Sequence, residues 1–479
     1  MSEKFDVVVI GGGTAGLVTS SGCARLGRKV ALIERETREA LGGDCLWTGC
    51  VPTKALVASA KLAYQMSHAT EYGFETVTPK ITPRNVMESM REKRKYISKH
   101  DHPDKFRKLG IDVIIGDARF VSPHEVEVAG RRLEGKDIVI ATGSRTYVHE
   151  VDGLRESGYL DHASFLDQDE FPKSLIILGG GAIGTEFSQV FRRFGCEVTL
   201  VEMGRGIISR EDKEVSARLR EILEFEGVNF RSGWGAKQVR IENGKKIVRL
   251  ESKEGQSQEI SADEIFVASG RRGNIEDLGL EAAGVKTERT YVVADQYLQT
   301  NVPRIWACGD IHGKLQFTHV AAYEAVKLVR NMLFPGKSAI NYDDIPWGVY
   351  TDPEVGRIGL TEAEALTKFG ADNVRTYKVE MDDVDRAVVD RTPKGFIKLV
   401  CDAKGRILGG HALCANASTL IEQIVLARKK KMKIGELAQL VSPYPSLADA
   451  IGKTASLYYQ GLSTSWVGSV GRRIAAWSQ

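Results

Sequence analysis

Two cysteines five positions apart, Cys45 and Cys50 in GGDCLWTGCVPTKAL, are the residues of this chain best suited to chemistry. Thiols so spaced can cycle as a redox-active disulfide, supply half of a metal site, staple a fold, or be two unconnected buried side chains. The seven cysteines, at 23, 45, 50, 196, 308, 401 and 414, form an odd and scattered set. Such a set is no disulfide scaffold, so in a reducing compartment the close pair reads as catalytic or metal-binding.

The pair follows an element built to hold a nucleotide. The apolar run FDVVVI leads into GGGTAG, where Gly11, Gly13 and Gly16 fit G-x-G-x-x-G, and the next apolar run, KVALIE, ends at Glu34. The first glycine makes a tight turn, the second admits a pyrophosphate to the backbone, and the third lets helix pack on strand. The acid then accepts hydrogen bonds from ribose hydroxyls. One such motif is weak evidence, but the plan recurs in SLIILGGGAIGTEF, with Gly179, Gly181 and Gly184, and in VTLVE, ending at Glu202. In both copies 23 residues separate the first glycine from the acid, and each copy is followed by an apolar strand and turn, DIVIATGSR and EIFVASGRR. Two dinucleotide sites are therefore expected, with Thr142, Gly143 and Gly270 of the two turns among the cofactor-binding residues. Two sites imply electron transfer between two nucleotides. Glu202 suits a free ribose hydroxyl and repels a 2′-phosphate, which favours NADH at the second site; Arg205 leaves NADPH open.

The bulk properties agree with a soluble enzyme of several domains. At 479 residues the chain predicts about three domains. Basic and acidic residues number 66 and 63, a net +3, which excludes a general draw to nucleic acid or membrane. No apolar run reaches the length of a membrane span, and the N-terminus lacks the pattern of a signal peptide, so a cytoplasmic protein without stable membrane insertion is expected.

With GGDCLWTGCVPTKAL after the first nucleotide motif and IWACGDIHGKLQFTHVAAYEA after the second, the chain resembles the FAD-dependent pyridine nucleotide–disulfide oxidoreductases of class I, which include dihydrolipoamide dehydrogenase and mercuric reductase. The resemblance runs over nearly the whole length. It implies an α/β fold with two Rossmann-like domains and a C-terminal α+β dimerisation domain. The expected bounds are 1–150 for the FAD domain, 151–275 for the NAD(P) domain, 276–345 for the rest of the FAD domain, and 346–479 for the interface domain of a homodimer. It implies FAD at the first site and NADH or NADPH at the second. Hydride from NADH would pass through FAD to the Cys45–Cys50 disulfide and on to an unidentified small-molecule acceptor. Cys50 would face the flavin as a charge-transfer thiolate and Cys45 would exchange with substrate. Lys54 would sit near the flavin, paired with Glu186; Asp310 would bind the ribityl chain, and backbone near Ala118 and Thr318 would contribute.

The resemblance breaks at one catalytic position. Thiol-exchanging members carry a histidine near the C-terminus, oriented by a glutamate five residues on; here SPYPSLADAI puts Tyr444 and Asp449 at those places. No histidine lies beyond 411. Tyrosine, with a reference pKa near 10 against about 6.5 for histidine, is a poor proton acceptor at neutral pH but can donate a hydrogen bond. Mercuric reductases also show a tyrosine here, so a Hg(II) reductase is one alternative, though no C-terminal cysteine pair is present. A flavin-only reductase of quinones or oxygen and a non-catalytic flavoprotein are the others. The disulfide segment departs too, with Asp44 and Trp47 where threonine and asparagine are usual. Asp44 either raises the thiol pKa of Cys45 or caps the following helix.

The remaining features read as structural. The basic run over 84–102 is expected at the surface, and His100 and His102 in a solvent-exposed loop, so no metal site is expected. FIKLVCDAKGRILGGHALC reads as two alternating apolar strands, with Cys401 and Cys414 in the sheet. Cys23 and Cys196 are expected on the two helices after the glycine motifs. The tail places Trp466, Val470, Ile474 and Trp477 on one helical face, expected to dock on the dimer, with contact to a membrane surface as the alternative.

Overall fold

A computed structural model describes residues 2–36 and 38–463. The chain divides into two compact units, one of Met1–Ser59, Lys80–Pro172 and Glu264–Ile340, the other of Ala60–Pro79, Lys173–Asp263 and Asn341–Gln479.

In the first unit the run FDVVVI lies in the strand Glu3–Ile10, whose Val7, Val8 and Val9 are fully buried. Branched side chains suit a strand covered on both faces, as in parallel sheets. It runs parallel between Val30–Glu34 and Arg131–Ile140, with Val7 opposite Val30 and Val9 opposite Val139. Asp112–Ile115 extends one side, and Ile305–Ala307 pairs parallel with the C-terminal end of Arg131–Ile140. Two antiparallel strands, Glu125–Val128 and Arg119–Ser122, complete a seven-stranded sheet. Helix α1 (Thr14–Arg25) makes the first crossover. Then come α2 (Gly43–Trp47), α3 (Cys50–Ser67, assigned to the first unit up to Ser59) and α4 (Pro83–Ser98).

The second unit repeats the plan. Ser174–Leu178, Glu197–Glu202 and Asn229–Ser232 are parallel neighbours, with the helix Ala182–Arg193 crossing between the first two. An antiparallel sheet of Trp234–Glu242, Lys245–Ser252 and Ser257–Ala262 follows. The C-terminal part is a five-stranded antiparallel sheet in the order Trp347–Val349, Glu354–Gly359, Ile407–Cys414, Phe396–Asp402, Val374–Glu380. The helices Ala417–Lys429 and Asp449–Ser463 pack on it.

Several expectations are corrected. Phe396–Asp402 and Ile407–Cys414 do not alternate: every residue but Asp402 is buried, because both strands are central and covered on both faces. Lys398 survives in that interior because Asp212, at 3.1 Å, and Glu362, at 2.6 Å, neutralise it. Cys23 lies on α1 as expected, but Cys196 falls after its helix, next to the strand beginning at Glu197. Among the described residues no helix is long and apolar enough to cross a membrane. The tail with Trp466, Val470, Ile474 and Trp477 lies outside the described residues.

Candidate functional site

The glycine turns are shaped from the backbone. Gly11 has φ of +113°, and a side chain there would meet the Ala141 carbonyl at 2.3 Å; one at Gly16 would meet the Gly11 carbonyl at 1.8 Å. Gly13 faces open space, with nothing nearer than 3.9 Å, and it precedes α1 without a side-chain cap, so the first helical N–H groups stay available. That cradle fits a pyrophosphate. The second unit reproduces it: Gly179 has φ of +113°, Gly181 has nothing within 4 Å, Gly184 is buried inside its helix, and again no side chain caps the helix.

Both acids bind their own loops. Glu34 accepts from the Gly12 N–H at 2.8 Å and the Glu36 N–H at 3.0 Å; Glu202 accepts from the Gly180 N–H at 2.7 Å and the Gly204 N–H at 2.6 Å. An ionised carboxylate has about four acceptor positions, so each keeps capacity for a ribose. The middle glycines, Gly12 and Gly180, were missed in the sequence. A side chain there would meet the acid at 2.8 and 3.1 Å, and the triple glycine was the signal.

The two similar turns pair with each other. Ser144–Thr146 runs antiparallel to Arg271–Gly273, Thr142 and Asn274 exchange hydrogen bonds of 2.8 Å, and the Gly270 carbonyl accepts from the Tyr147 N–H at 2.9 Å. Gly143, with φ of +70°, turns the chain between them and accepts from the Asn274 N–H. Beside them Asp310 accepts from the Ser144 hydroxyl at 2.6 Å and lies 3.7 Å from Arg271. Burial raises its carboxyl pKa, against the opposing effects of Arg271 and Ser144. Ala118 is a buried part of the sheet core.

Cys50 opens α3 and Cys45 lies within α2; both thiols are free, Cys50 exposed and Cys45 half-buried. The Cys50 sulfur lies 3.3 Å from the hydroxyl of Thr318, the first residue of the helix Thr318–Leu333. The hydrogen bond between the two thiols lowers the pKa of Cys50 and raises that of Cys45. Burial opposes the fall at Cys50, while Thr318 and the Lys54 charge add to it. The thiolate is thus favoured at Cys50 and the thiol at Cys45. The other cysteines are buried; Cys23, Cys196, Cys401 and Cys414 are pushed up to about 12 by burial.

Asp44 does not cap the helix that carries it. Its carboxylate accepts from Arg271 Nη2 at 2.6 Å, is hydrogen-bonded to His162 Nε2 at 3.2 Å, and also binds the Thr48 hydroxyl. Burial would raise its pKa, but the His162 hydrogen bond and the Arg271 charge hold it well below the carboxylate range. Neither partner was foreseen, since they lie 118 and 227 residues away. The Trp47 indole N–H is within 3.1 Å of both the Ala40 and Leu41 carbonyls, and its ring lies between the guanidinium groups of Arg38 and Arg94, at 5.3 and 5.4 Å. Arg94 also donates to the Trp47 carbonyl at 3.0 Å. The basic run is therefore only partly a solvated face: α4 buries Met87 and Met90 and sends Arg94 to the disulfide segment. His100 and His102 are exposed, and no cluster of three potential metal ligands occurs among the described residues.

In the second unit Glu186 accepts from the Tyr350 N–H at 2.8 Å. Tyr444 is exposed and donates to Asp385 at 2.7 Å, while Asp449 pairs with Lys453 at 3.4 Å. The partner of the Tyr444 hydroxyl is thus Asp385, which pushes the phenol pKa up and keeps it a donor.

Residues 5–325 match the family model of the pyridine nucleotide-disulphide oxidoreductases, and residues 345–455 match that family's dimerisation domain. A dihydrolipoyl dehydrogenase of Rhizobium etli is 34% identical over 478 residues, covering 94% of this chain and 97% of that protein. A mercuric reductase of Bacillus cereus is 32% identical over 455 residues, covering 93% of this chain and 70% of that protein. Among solved structures, the HOCl-induced flavoprotein disulfide reductase RclA of Escherichia coli, as a Cu(II) complex, superposes with a TM-score of 0.83 at 28% identity, covering 95% of this chain and 99% of that one. The chain therefore belongs to the pyridine nucleotide–disulphide oxidoreductase family and is an FAD- and NAD(P)H-using disulfide oxidoreductase.

Proposed function

We propose that this oxidoreductase works as a homodimer, prefers NADH, and passes electrons through Cys45 and Cys50 to a disulfide-containing small molecule. The proposed division is an FAD domain of 1–150 and 276–345, an NAD(P) domain of 151–275 and an interface domain of 346–479. Gly11, Gly13, Gly16, Glu34, Thr142, Gly143 and Asp310, with backbone near Ala118 and Thr318, hold FAD; Gly179, Gly181, Gly184, Glu202 and Gly270 hold NADH. When bound, FAD supplies the two-electron link between nicotinamide and sulfur.

The observation that carries the reading is the free Cys45–Cys50 pair, with Cys50 exposed and its sulfur 3.3 Å from the Thr318 hydroxyl. Cys50 keeps the thiolate, steadied by the Thr318 hydroxyl and the Lys54 charge. Cys45 holds the proton until it attacks, and Cys50 then takes it, so exchange starts without a histidine base. Tyr444, its one hydroxyl proton held by Asp385, keeps oxygen lone pairs with which to position the leaving thiol, and Asp449 lies five residues on. Anaerobic titration of the oxidised protein with NADH, with thiols counted at each step, tests this. Two new thiols per first equivalent, absent in Cys45→Ser, support it; flavin bleaching with no new thiols in either protein refutes it.

A thiophilic metal ion is the second reading, favoured by an exposed thiol beside its partner and by Tyr444 in the place of the expected histidine. Relatives are named mercuric reductases, and a structural neighbour is a Cu(II) complex. Thiolates suit soft ions, so metal-dependent NADH oxidation that fails in Cys50→Ser is its expected result.

A further inference from the structure

The disulfide segment carries a fixed negative charge whose neutralisation is built from distant parts of the first unit. Asp44 directly precedes Cys45, and Arg271, His162 and Thr48 hold its carboxylate. Its partners are anchored in turn. Arg271 donates to the Ser144 hydroxyl at 2.7 Å and carbonyl at 2.9 Å, and His162, 5% exposed, is bonded through Nδ1 to Thr146 at 3.2 Å. Ser144, Thr146 and Arg271 sit on two paired strands, so the network rests on sheet backbone rather than on a loose loop. It continues to Asp310 through the Ser144 hydroxyl.

This arrangement acts on the sulfurs through charge. The reduced pair carries a thiolate and the disulfide carries no charge, so a nearby anion destabilises the reduced form and a nearby cation stabilises it. The Asp44 charge opposes thiolate formation at both sulfurs, as Lys54 favours it at Cys50. The other ionisable groups around the network are His162, Asp310 and Asp161, which is linked through Thr146 and Ser164.

We propose that Asp44 and Arg271 form a fixed charge couple that sets the reducing power of the Cys45–Cys50 pair. Asp44 makes the dithiol a stronger reductant, Arg271 restrains it, and His162 is the positioning residue that holds the carboxylate in register. The inference rests on the reading that the pair cycles between dithiol and disulfide. In exchange with oxidised dithiothreitol, the pair loses two electrons and its one proton as its S–S bond forms, and water supplies a second proton. The reagent's ring S–S bond breaks and takes them up, giving reduced dithiothreitol.

The test equilibrates the FAD-loaded protein anaerobically at pH 7 in mixtures of reduced and oxidised dithiothreitol. Free thiols are trapped by alkylation, and the Cys45–Cys50 disulfide is read by mass spectrometry. Asp44→Asn should shift the equilibrium about tenfold toward the dithiol, about 30 mV upward. Arg271→Gln should shift it about tenfold the other way, and the double variant should return close to wild type. His162→Gln, which frees the carboxylate, should move it in the same direction as Asp44→Asn but less. Arg271→Lys keeps the charge and should titrate near wild type, which gives a second comparison should Asp44→Asn lose its flavin. Opposite shifts distinguish a charge couple from a structural brace. Shifts in one direction, or none, in Asp44→Asn and Arg271→Gln overturn the couple while leaving the redox pair intact. A wild-type protein that forms no disulfide in any mixture overturns the underlying reading as well.

Discussion

Removing the Thr318 hydroxyl isolates one contribution to the thiolate. Thr318→Val keeps the branched shape and the first helical position while deleting a partner 3.3 Å from the Cys50 sulfur. A hydrogen bond to a charged group contributes about 1.5–3 kcal/mol. The diffuse charge of sulfur and the length of this contact place it near the lower figure. One pKa unit corresponds to about 1.4 kcal/mol, so the Cys50 thiolate should form roughly one pH unit higher. The sign follows because the hydroxyl stabilises the charged form, and losing it favours the thiol. The assay is the rate of Cys50 alkylation by iodoacetamide against pH in the reduced, FAD-loaded protein, with modification assigned by mass spectrometry. On the acid side of the midpoint the variant should react about tenfold more slowly. Cys45→Ala should move the midpoint further, because the Cys45 hydrogen bond is the largest influence on Cys50. An unmoved midpoint in Thr318→Val, or a larger shift there than in Cys45→Ala, would refute this ordering of causes.

Other outcomes follow from single contacts. Gly181→Ala adds a methyl group into open space, so thermal stability should stay within about 2 °C of wild type while the KM for NADH rises at least about tenfold, measured by steady-state kinetics. Gly16→Ala would drive a methyl group against the Gly11 carbonyl, and the purified protein should lack flavin absorbance. Arg193, its side chain 4% exposed, binds Glu226 at 2.8 Å and Asp352 at 2.9 Å; Arg193→Ala leaves Glu226 without a cation and Asp352 with Lys61 alone, and should cost about 3–5 kcal/mol in urea unfolding. His411 is fully buried, and burial lowers its pKa to about 4 from an ordinary 6.5. The unfolded chain takes up that proton first, so the neutral histidine's contribution is complete above pH 6.5 and declines as pH falls toward 4, by about 3 kcal/mol. His411→Gln should lack that part of the acid destabilisation when urea midpoints at pH 7.5 and 5 are compared.

The nucleotide turns were legible because their information is local. A glycine is required where φ is +113°, as at Gly11 and again at Gly179, or where a methyl group would strike a carbonyl 1.8 Å away, as at Gly16. The strands around them were legible for the same reason, since a parallel strand buried on both faces reads as a continuous apolar run. The cysteine pair was legible from five-residue spacing and glycine context. The strands of the C-terminal sheet were found, but their full burial was not, because periodicity within a strand does not report what covers its second face.

What the sequence determined by itself, then, was the repeated βαβ plan, the acids that close it and the close pair of cysteines that follows it. Only the tertiary structure decided the electrostatics. Asp44 meets His162 and Arg271 across 118 and 227 residues, Trp47 meets Arg94 across 47, and Tyr444 meets Asp385 across 59. Side-chain charge acts over a few ångströms of space whatever the separation along the chain, whereas motifs report only neighbours in sequence. The sequence therefore brings the two thiols close together, and the fold decides which charges surround them.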